Sequence, residues 1–139
     1  MNFAEQVVDR LEKLGVKRIY GLVGDSLNPL SDAVRQSDIE WVHVRNEEAA
    51  AFAAGADSLA ADELAVCGAS CGPGNTHFVQ GLFESHRNGA KVLAIASHIP
   101  TIEIGSSFFQ ETHPELLFQE CSSYCEVVHE ADQGMRVLH

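Results

Sequence analysis

The chain has 139 residues, 45% of them apolar and 21% charged, which suits one domain with a buried core. Because 20 Asp and Glu oppose 9 Lys and Arg for a net charge of −11, the chain cannot easily assemble a basic face, which argues against a nucleic-acid partner. The start lacks the features of a secretory signal, and no apolar run reaches the ~18 residues of a membrane span. We therefore predict a cytoplasmic globular protein.

The first half of the chain alternates helical and strand-like segments. An apolar stripe from Phe3 to Leu14 predicts the first helix, which Asn2 opens in a capping-box pattern and Gly15 ends. The third helix follows Asn46, a good N-cap, and is rich in alanine. The remaining predictions here are strands at 18–23 and 39–44 and helices at 27–35 and 47–61.

The second half continues the alternation. Strands are predicted at 64–69 and 92–96, a turn at 72–75, helices at 76–85 and 114–118, a fifth strand at 124–128 and a last helix from 132. Nearly uniform apolar strands are typical of a parallel sheet covered on both faces. The sequence therefore predicts an α/β fold, a doubly wound, mostly parallel sheet flanked by helices, with ligands beyond the carboxyl ends of the strands.

Two adjacent carboxylates, Glu47 and Glu48, stand at the start of the third helix. Acids in a first helical turn commonly complement the helix dipole, which is worth about 0.3–1 kcal/mol at an exposed site. Alternatively, one carboxylate turns inward at the strand-to-helix corner, where Phe52 and the alanines shield it and it can share a proton with a ligand. The sequence leaves both interpretations open.

A rival site lies at Ser70, because Gly68–Gly72 matches G-x-S-x-G after a strand, the pattern of a hydrolase nucleophile elbow. A true elbow runs directly into its helix, whereas a Pro-Gly turn intervenes here. The residues that could complete a triad in chain order, Asp132 and His139, make a poor pair. A hydrolase acting through Ser70 is therefore a minor alternative.

Other motifs give weaker signals. The glycines of 72–74 suit a backbone that lies close to a flat or bulky group, although an ordinary tight turn also explains them. Residues 21–25 lack the third glycine of a dinucleotide-binding fingerprint. Phe108–Glu111 could line a pocket or simply pack. No histidine spacing indicates a metal, and the four cysteines are predicted to be ordinary reduced thiols: Cys67, Cys71, Cys121 and Cys125.

Four motifs occur in order over essentially the whole chain: GVKRIYG at 15–21, RNEEAAAFAAG at 45–55, SCGPGN at 70–75 and FQETHP at 109–114. Together they resemble the N-terminal pyrimidine-binding domain of thiamine-diphosphate enzymes. Within that family the chain is most similar to the bacterial pyruvate dehydrogenases (quinone), also called pyruvate oxidases. Acetolactate synthases and pyruvate decarboxylases are relatives of these enzymes.

The resemblance implies roles for individual residues. Glu47 falls where the family places the catalytic glutamate, which hydrogen-bonds the aminopyrimidine ring of the cofactor and activates it. Glu48 then remains a dipole-complementing surface acid. Phe109 and Gln110 correspond to residues that flank the substrate and the reaction intermediate. The further residues implied to approach the pyrimidine are Gly21, Val23, Gly24, Gly72, Pro73, Gly74 and Asn75.

The resemblance also implies parts that residues 1–139 do not contain. In the family a separate domain with a Gly-Asp-Gly motif holds the diphosphate and its Mg²⁺, and Gly24-Asp25-Ser26 is only a look-alike of that motif. FAD belongs to a central domain, and membrane association to a C-terminal segment. We therefore expect a C-terminally truncated domain that lacks its last strand and is inactive alone.

The expected function is the pyrimidine-side module of a pyruvate:quinone oxidoreductase, which oxidatively decarboxylates pyruvate to acetate and CO₂. Family cofactor sites form between subunits, so we expect a homo-oligomer or association with the missing domains. The alternative is a non-catalytic fragment or a dimerisation module that retains the fold.

Overall fold

The computed structural model describes the backbone of residues 1–139 and every side chain except that of Met135. One sheet holds four parallel strands in the order β2-β1-β3-β4. The strands are β1 (Arg18–Gly21), β2 (Glu40–His43), β3 (Ala65–Ala69) and β4 (Val92–Ala96). The predicted α/β class, with a parallel sheet flanked by helices, is confirmed.

Six α-helices precede, connect or follow the strands. They are α1 (Phe3–Lys13), α2 (Asn28–Arg35), α3 (Glu47–Ala61), α4 (Pro73–Arg87), α5 (Pro114–Leu117) and α6 (Ala131–Val137). Short 3₁₀ helices cover Asp25–Leu27, Thr101–Glu103 and Gln119–Cys121. Among the described residues, no helix combines the length and apolarity that a bilayer span requires.

The residues at the helix starts explain where α1 and α4 begin. The predicted capping box at α1 is present, since the amide of Glu5 donates to Asn2 and the amide of Asn2 donates to Glu5. Helix α4 begins at Pro73, three residues earlier than predicted. Proline fits the first helical position, where its fixed φ is helical and its missing N–H has no intrahelical acceptor.

The sheet divides the core into two layers that differ in side-chain size. On one side, which we call the branched face, α1 and α2 pack against the sheet through aliphatic residues. On the other side, the small-residue face, α3 and α4 pack through alanine, cysteine and glycine around Phe78. Strand β3 serves both layers, because Val66 points to the branched face while Cys67 points to the small-residue face.

The predicted fifth strand at 124–128 is wrong. This segment is irregular, and Tyr124 is 65% exposed. A strand is stabilised by its ladder and by cross-strand neighbours, and within the described chain β4 pairs only with β3, so no second ladder forms. The chain then continues into α6, which packs against α1 where Gly134 meets the ring of Phe3.

Candidate functional site

Glu47 is the first residue of α3, and its side chain turns inward. The side-chain oxygen of Asn46 caps the helix by accepting from the amide of Glu48 at 2.8 Å. Glu48 itself is exposed, whereas the side chain of Glu47 is 8% exposed. Of the two interpretations that the sequence left open, the inward carboxylate therefore applies to Glu47, and Glu48 lies where an acid can complement the helix dipole.

His77 on α4 is the direct partner of this carboxylate. Its Nδ1 lies 2.9 Å from Oε2 of Glu47, and its side chain is 50% exposed. Sequence reasoning missed this residue, because 30 positions separate the two and nothing local links them. The available signal was the position of His77 one helical turn after the Pro73-Gly74 bend, on the helix that faces α3.

Gly74 gives the carboxylate its room. A Cβ at this position would lie 3.1 Å from Oε1 of Glu47 and 3.5 Å from Cβ of Ser70. Gly24 is equally constrained, since a Cβ there would meet Oγ of Ser70 at 2.6 Å. Two of the predicted loops thus approach each other around Ser70, and the glycines are needed for that close approach.

Three serines at the carboxyl ends of the strands form a directed chain of hydroxyl groups. Ser97 donates to the carbonyl of Ala69 at 2.8 Å, and its single proton is then committed. Ser26 must therefore donate to Ser97 at 2.7 Å, and Ser70 must donate to Ser26 at 2.9 Å. The amide of Cys71 also donates to Ser26, at 3.0 Å. As a result, the hydroxyl of Ser70 has only lone pairs to offer a ligand.

This direction argues against the hydrolase alternative. A serine nucleophile donates its proton to a general base, usually histidine. In the described part of the chain the proton of Ser70 goes to Ser26, and no hydrogen bond joins Ser70 to a histidine. Neither Asp132 nor His139 makes a side-chain hydrogen bond with it, so no triad forms at this serine.

Asn75 is completely buried at the start of α4. Its amide donates to the carbonyl of Ser97 at 2.9 Å, which ties the helix to the loop after β4. Its Oδ1 is buried without a partner among the described side chains. A buried unpaired oxygen normally costs about 1–3 kcal/mol, so a donor from outside the chain would be stabilising there.

The two residues predicted to flank the substrate, Gln110 and Phe109, have different surroundings in the structure. Gln110 lies over the bend, where its Oε1 accepts from the thiol of Cys71 at 3.5 Å and its Cβ would be 2.9 Å from a Cβ on Gly72. Gly72 has φ +70°, which also favours glycine. Phe109, by contrast, is 83% exposed and touches Phe108 at a centroid distance of 4.9 Å.

The other predicted cofactor residues line the same edge of the sheet. Gly21 ends β1 and is buried, and a Cβ there would meet the indole of Trp41 at 2.5 Å. Val23 is 52% exposed beside it, and Pro73 is exposed at the start of α4. The structure therefore brings Glu47 to Gly74 and leaves Val23, Pro73 and Phe109 on the surface.

Glu111 fastens the loop that carries Gln110. Its carboxylate accepts from the amide of Gly105 at 2.6 Å and from that of Ser107 at 3.0 Å. These bonds, above all that from Gly105, hold the pKa of Glu111 below its ordinary value. The loop is thus fixed by a charged group next to the residue that touches the bend.

All four cysteines are free, and burial raises the pKa of the Cys67 thiol in the centre of β3. Among the described residues, no group of three or more His, Cys, Asp or Glu is arranged to hold a metal ion. Two clefts, of about 260 and 370 Å³, are lined by other residues and do not include Glu47.

Known proteins resemble this chain along most of its length. A protein described as an uncharacterized 42.6 kDa protein in the isoamylase 3′ region of Pseudomonas amyloderamosa is 60% identical over 136 residues, 97% of this chain and 34% of that protein. A probable acetolactate synthase large subunit of Methanocaldococcus jannaschii is 36% identical over 124 residues, 89% of this chain and 21% of the synthase. The pyruvate oxidase of Lactiplantibacillus plantarum is 33% identical over 120 residues, 85% of this chain and 20% of the oxidase.

The chain thus spans about a third or less of the length of these relatives. A family profile, described as the N-terminal TPP binding domain of thiamine pyrophosphate enzymes, matches residues 1–119. This match covers the four strands, the inward Glu47 and the bend at Gly74. The chain therefore belongs to the family of N-terminal TPP-binding domains of thiamine pyrophosphate enzymes.

Proposed function

We propose that this chain forms the pyrimidine side of a thiamine-diphosphate site in a cytoplasmic pyruvate:quinone oxidoreductase, with Glu47 as the residue that hydrogen-bonds the aminopyrimidine ring. The observation that carries the proposal is the burial of this carboxylate beside Gly74. A carboxyl group withheld from water at the carboxyl edge of the sheet is suited to share a proton with a ligand nitrogen.

The residues around Glu47 include hydrogen-bond acceptors that suit an aminopyrimidine. Gly74 and Gly24 let two loops approach closely around Ser70, so that Ser70 and the carboxyl of Glu47 both lie next to Gly74. The oxygens of Ser70 and Asn75 lack a donor, and an aminopyrimidine carries an amino group that donates hydrogen bonds. The pyrimidine end of thiamine diphosphate therefore matches the groups that the site presents.

The work of this chain in such a reaction is to orient and protonate. When bound, the cofactor supplies the electron sink for decarboxylation of a 2-keto acid. Glu47 holds or gives up one proton at its carboxyl, and the wall formed by α3 and α4 limits the access of water to it. In this proposal other domains supply the binding sites for Mg²⁺, FAD and pyruvate. The thiamine-diphosphate site is completed when this chain associates with those domains or with a second subunit.

Ligand-observed NMR on the full chain tests the proposal directly. With thiamine diphosphate and Mg²⁺ as the probe, we expect saturation transfer to the pyrimidine protons to exceed that to the thiazolium protons. Glu47→Gln should weaken binding about 10- to 100-fold, because a hydrogen bond to a charged group is worth about 1.5–3 kcal/mol. Glu48→Gln is the matched control and should bind as the parent does. Equal saturation of both rings, or unchanged binding by Glu47→Gln, would contradict the proposal.

An acetolactate synthase is a second candidate, because one relative carrying that name is as similar to this chain as the pyruvate oxidase is. Mixing the chain with the separately expressed remainder of the L. plantarum oxidase, and in parallel with that of the M. jannaschii synthase, distinguishes them. Pyruvate-dependent reduction of an artificial quinone supports the oxidoreductase, and formation of acetolactate supports the synthase. Cofactor binding without either reaction would favour a non-catalytic module.

A further inference from the structure

The carboxyl of Glu47 is buried, but its proposed role requires a proton to reach it and leave it. Only 8% of this side chain is exposed, so direct exchange with bulk water is restricted. A group that is bonded to the carboxyl and open to solvent is needed to carry the proton. The neighbours of Glu47 therefore decide how fast its protonation state can change.

The interior offers no such route. The hydroxyl chain that begins at Ser70 runs inward to Ser26 and Ser97 and ends on a backbone carbonyl. Carrying a proton outward along it would require all three hydroxyl groups to reverse. Glu48, the exposed acid next in sequence, does not bond to Glu47. Its backbone amide donates to the side chain of Asn46 instead.

His77 meets both requirements. Within the described chain it is the only Lys, Arg or His side chain within 4.0 Å of the Glu47 carboxylate. Its Nδ1 faces Oε2 at 2.9 Å, and half of its side chain is exposed, so one ring nitrogen contacts the carboxyl while the ring reaches solvent. The titratable residues further along α4 are Glu84, His86 and Arg87, all exposed near its end.

We propose that His77 is a positioning residue that relays protons between solvent and the carboxyl of Glu47, an inference that rests on the proposed function. Nε2 takes a proton from solvent while the Nδ1–H bond breaks and a proton bonds to Oε2. The ring passes from one neutral tautomer to the other, and Glu47 gains one proton. The hydrogen bond survives the transfer, since N–H donates before it and O–H donates after it.

The pairing is tested first without any cofactor. Imidazole ¹⁵N shifts of the full chain should show His77 with its proton on Nδ1 while Glu47 is ionised. Glu47→Ala should move that proton to Nε2, with the exposed His86 on the same helix unchanged as the control. If the tautomer of His77 is the same with and without Glu47, the relay is overturned while the proposed function stands.

The relay itself is tested with thiamine diphosphate and Mg²⁺ as the probe. We expect His77→Ala to slow the exchange of the thiazolium C2 proton with D₂O at least about 10-fold without changing cofactor affinity, since acid–base groups contribute about 10²–10⁴-fold. Added imidazole should restore the rate. His77→Asn retains a donor but cannot relay, so it should be equally slow, and His86→Ala should exchange at the parental rate.

The outcomes separate the two proposals. Parental exchange rates in both His77 variants, with the cofactor bound, would overturn the relay alone. Slow exchange that imidazole does not restore would assign His77 a merely structural role and also overturn it. Failure of the parent chain to bind the cofactor would reject the proposed function, and the relay would fall with it.

Discussion

The two faces of the sheet are built from side chains of different size, and they do different work. The branched face packs large aliphatic residues such as Leu11 and Ile19 between the sheet and α1 and α2. The small-residue face packs alanines against glycines, and a Cβ on Gly81 would lie 2.5 Å from that of Ala51. Large side chains bury more apolar area per residue, whereas small ones let backbones approach closely.

The comparison teaches where chemistry can be placed in this fold. Because α3 and α4 approach so closely, the side chains of Glu47 and His77 can meet across the gap between them. The ion pairs within α1 and α2, Lys13–Asp9 and Arg35–Asp32, join exposed side chains. The branched face therefore acts as the stable support, and the small-residue face sets the geometry of the site.

The largest effect should come from widening the small-residue face. Ala51→Leu adds a branched side chain at a position with 0% exposure and should lower the free energy of unfolding by about 1–3 kcal/mol. Ala56→Leu makes the same change at an exposed position of α3 and should stay within about 0.5 kcal/mol of the parent. Urea unfolding followed by circular dichroism measures both. Equal stability of the two variants would contradict the proposed difference between the two faces of α3.

Removing the helix caps tests whether the stability of the chain and the geometry of the site depend on different residues. Asn2→Ala on α1 and Asn46→Ala on α3 should each cost about 0.5–2 kcal/mol in unfolding free energy, because each removes a side-chain acceptor for a helix-start amide. Only Asn46→Ala should also change the imidazole ¹⁵N shifts of His77, since it loosens the turn that aims Glu47 inward. If Asn2→Ala changes those shifts as much, the faces are not independent.

The smallest effect should appear on acidification. The pKa of Glu111 is lowered in the folded chain, so its contribution is present above the unfolded pKa and is lost as the pH falls through the folded one. Below pH 4.5, the ordinary value, the amides of Gly105 and Ser107 should become progressively less protected from hydrogen exchange. Glu111→Gln should show low protection already at neutral pH. Protection that is independent of pH in the parent would contradict this assignment.

Local patterns predicted much of the fold, and long-range geometry accounts for the rest. Helix caps, apolar runs and the Pro-Gly turn are visible within a few residues, so the parallel sheet and the start of α3 were predictable. Which of Glu47 and Glu48 turns inward depends on the cap at Asn46 and on the space above Gly74. His77 could not be found locally, because its partner lies on another helix.

The errors have the same origin. The strand predicted at 124–128 has strand-favouring residues in Tyr124, Val127 and Val128, but a strand also needs a neighbour, and composition says nothing about that. The exposure of Phe109 likewise depends on how its loop lies on the molecule. The roles of Glu47, Gln110 and the loop glycines remain predictions, for which the structure supplies the positions.

The outer side of β4 has a consequence for handling the protein. Val92–Ala96 is uncharged, apolar and half-buried, and within the described chain its backbone is paired along one side only. Such a segment is a template for cross-β stacking between molecules. Lys91, which directly precedes the strand and pairs with Asp62, is the charged residue next to it, so losing that lysine should raise the tendency of concentrated samples to form fibrils.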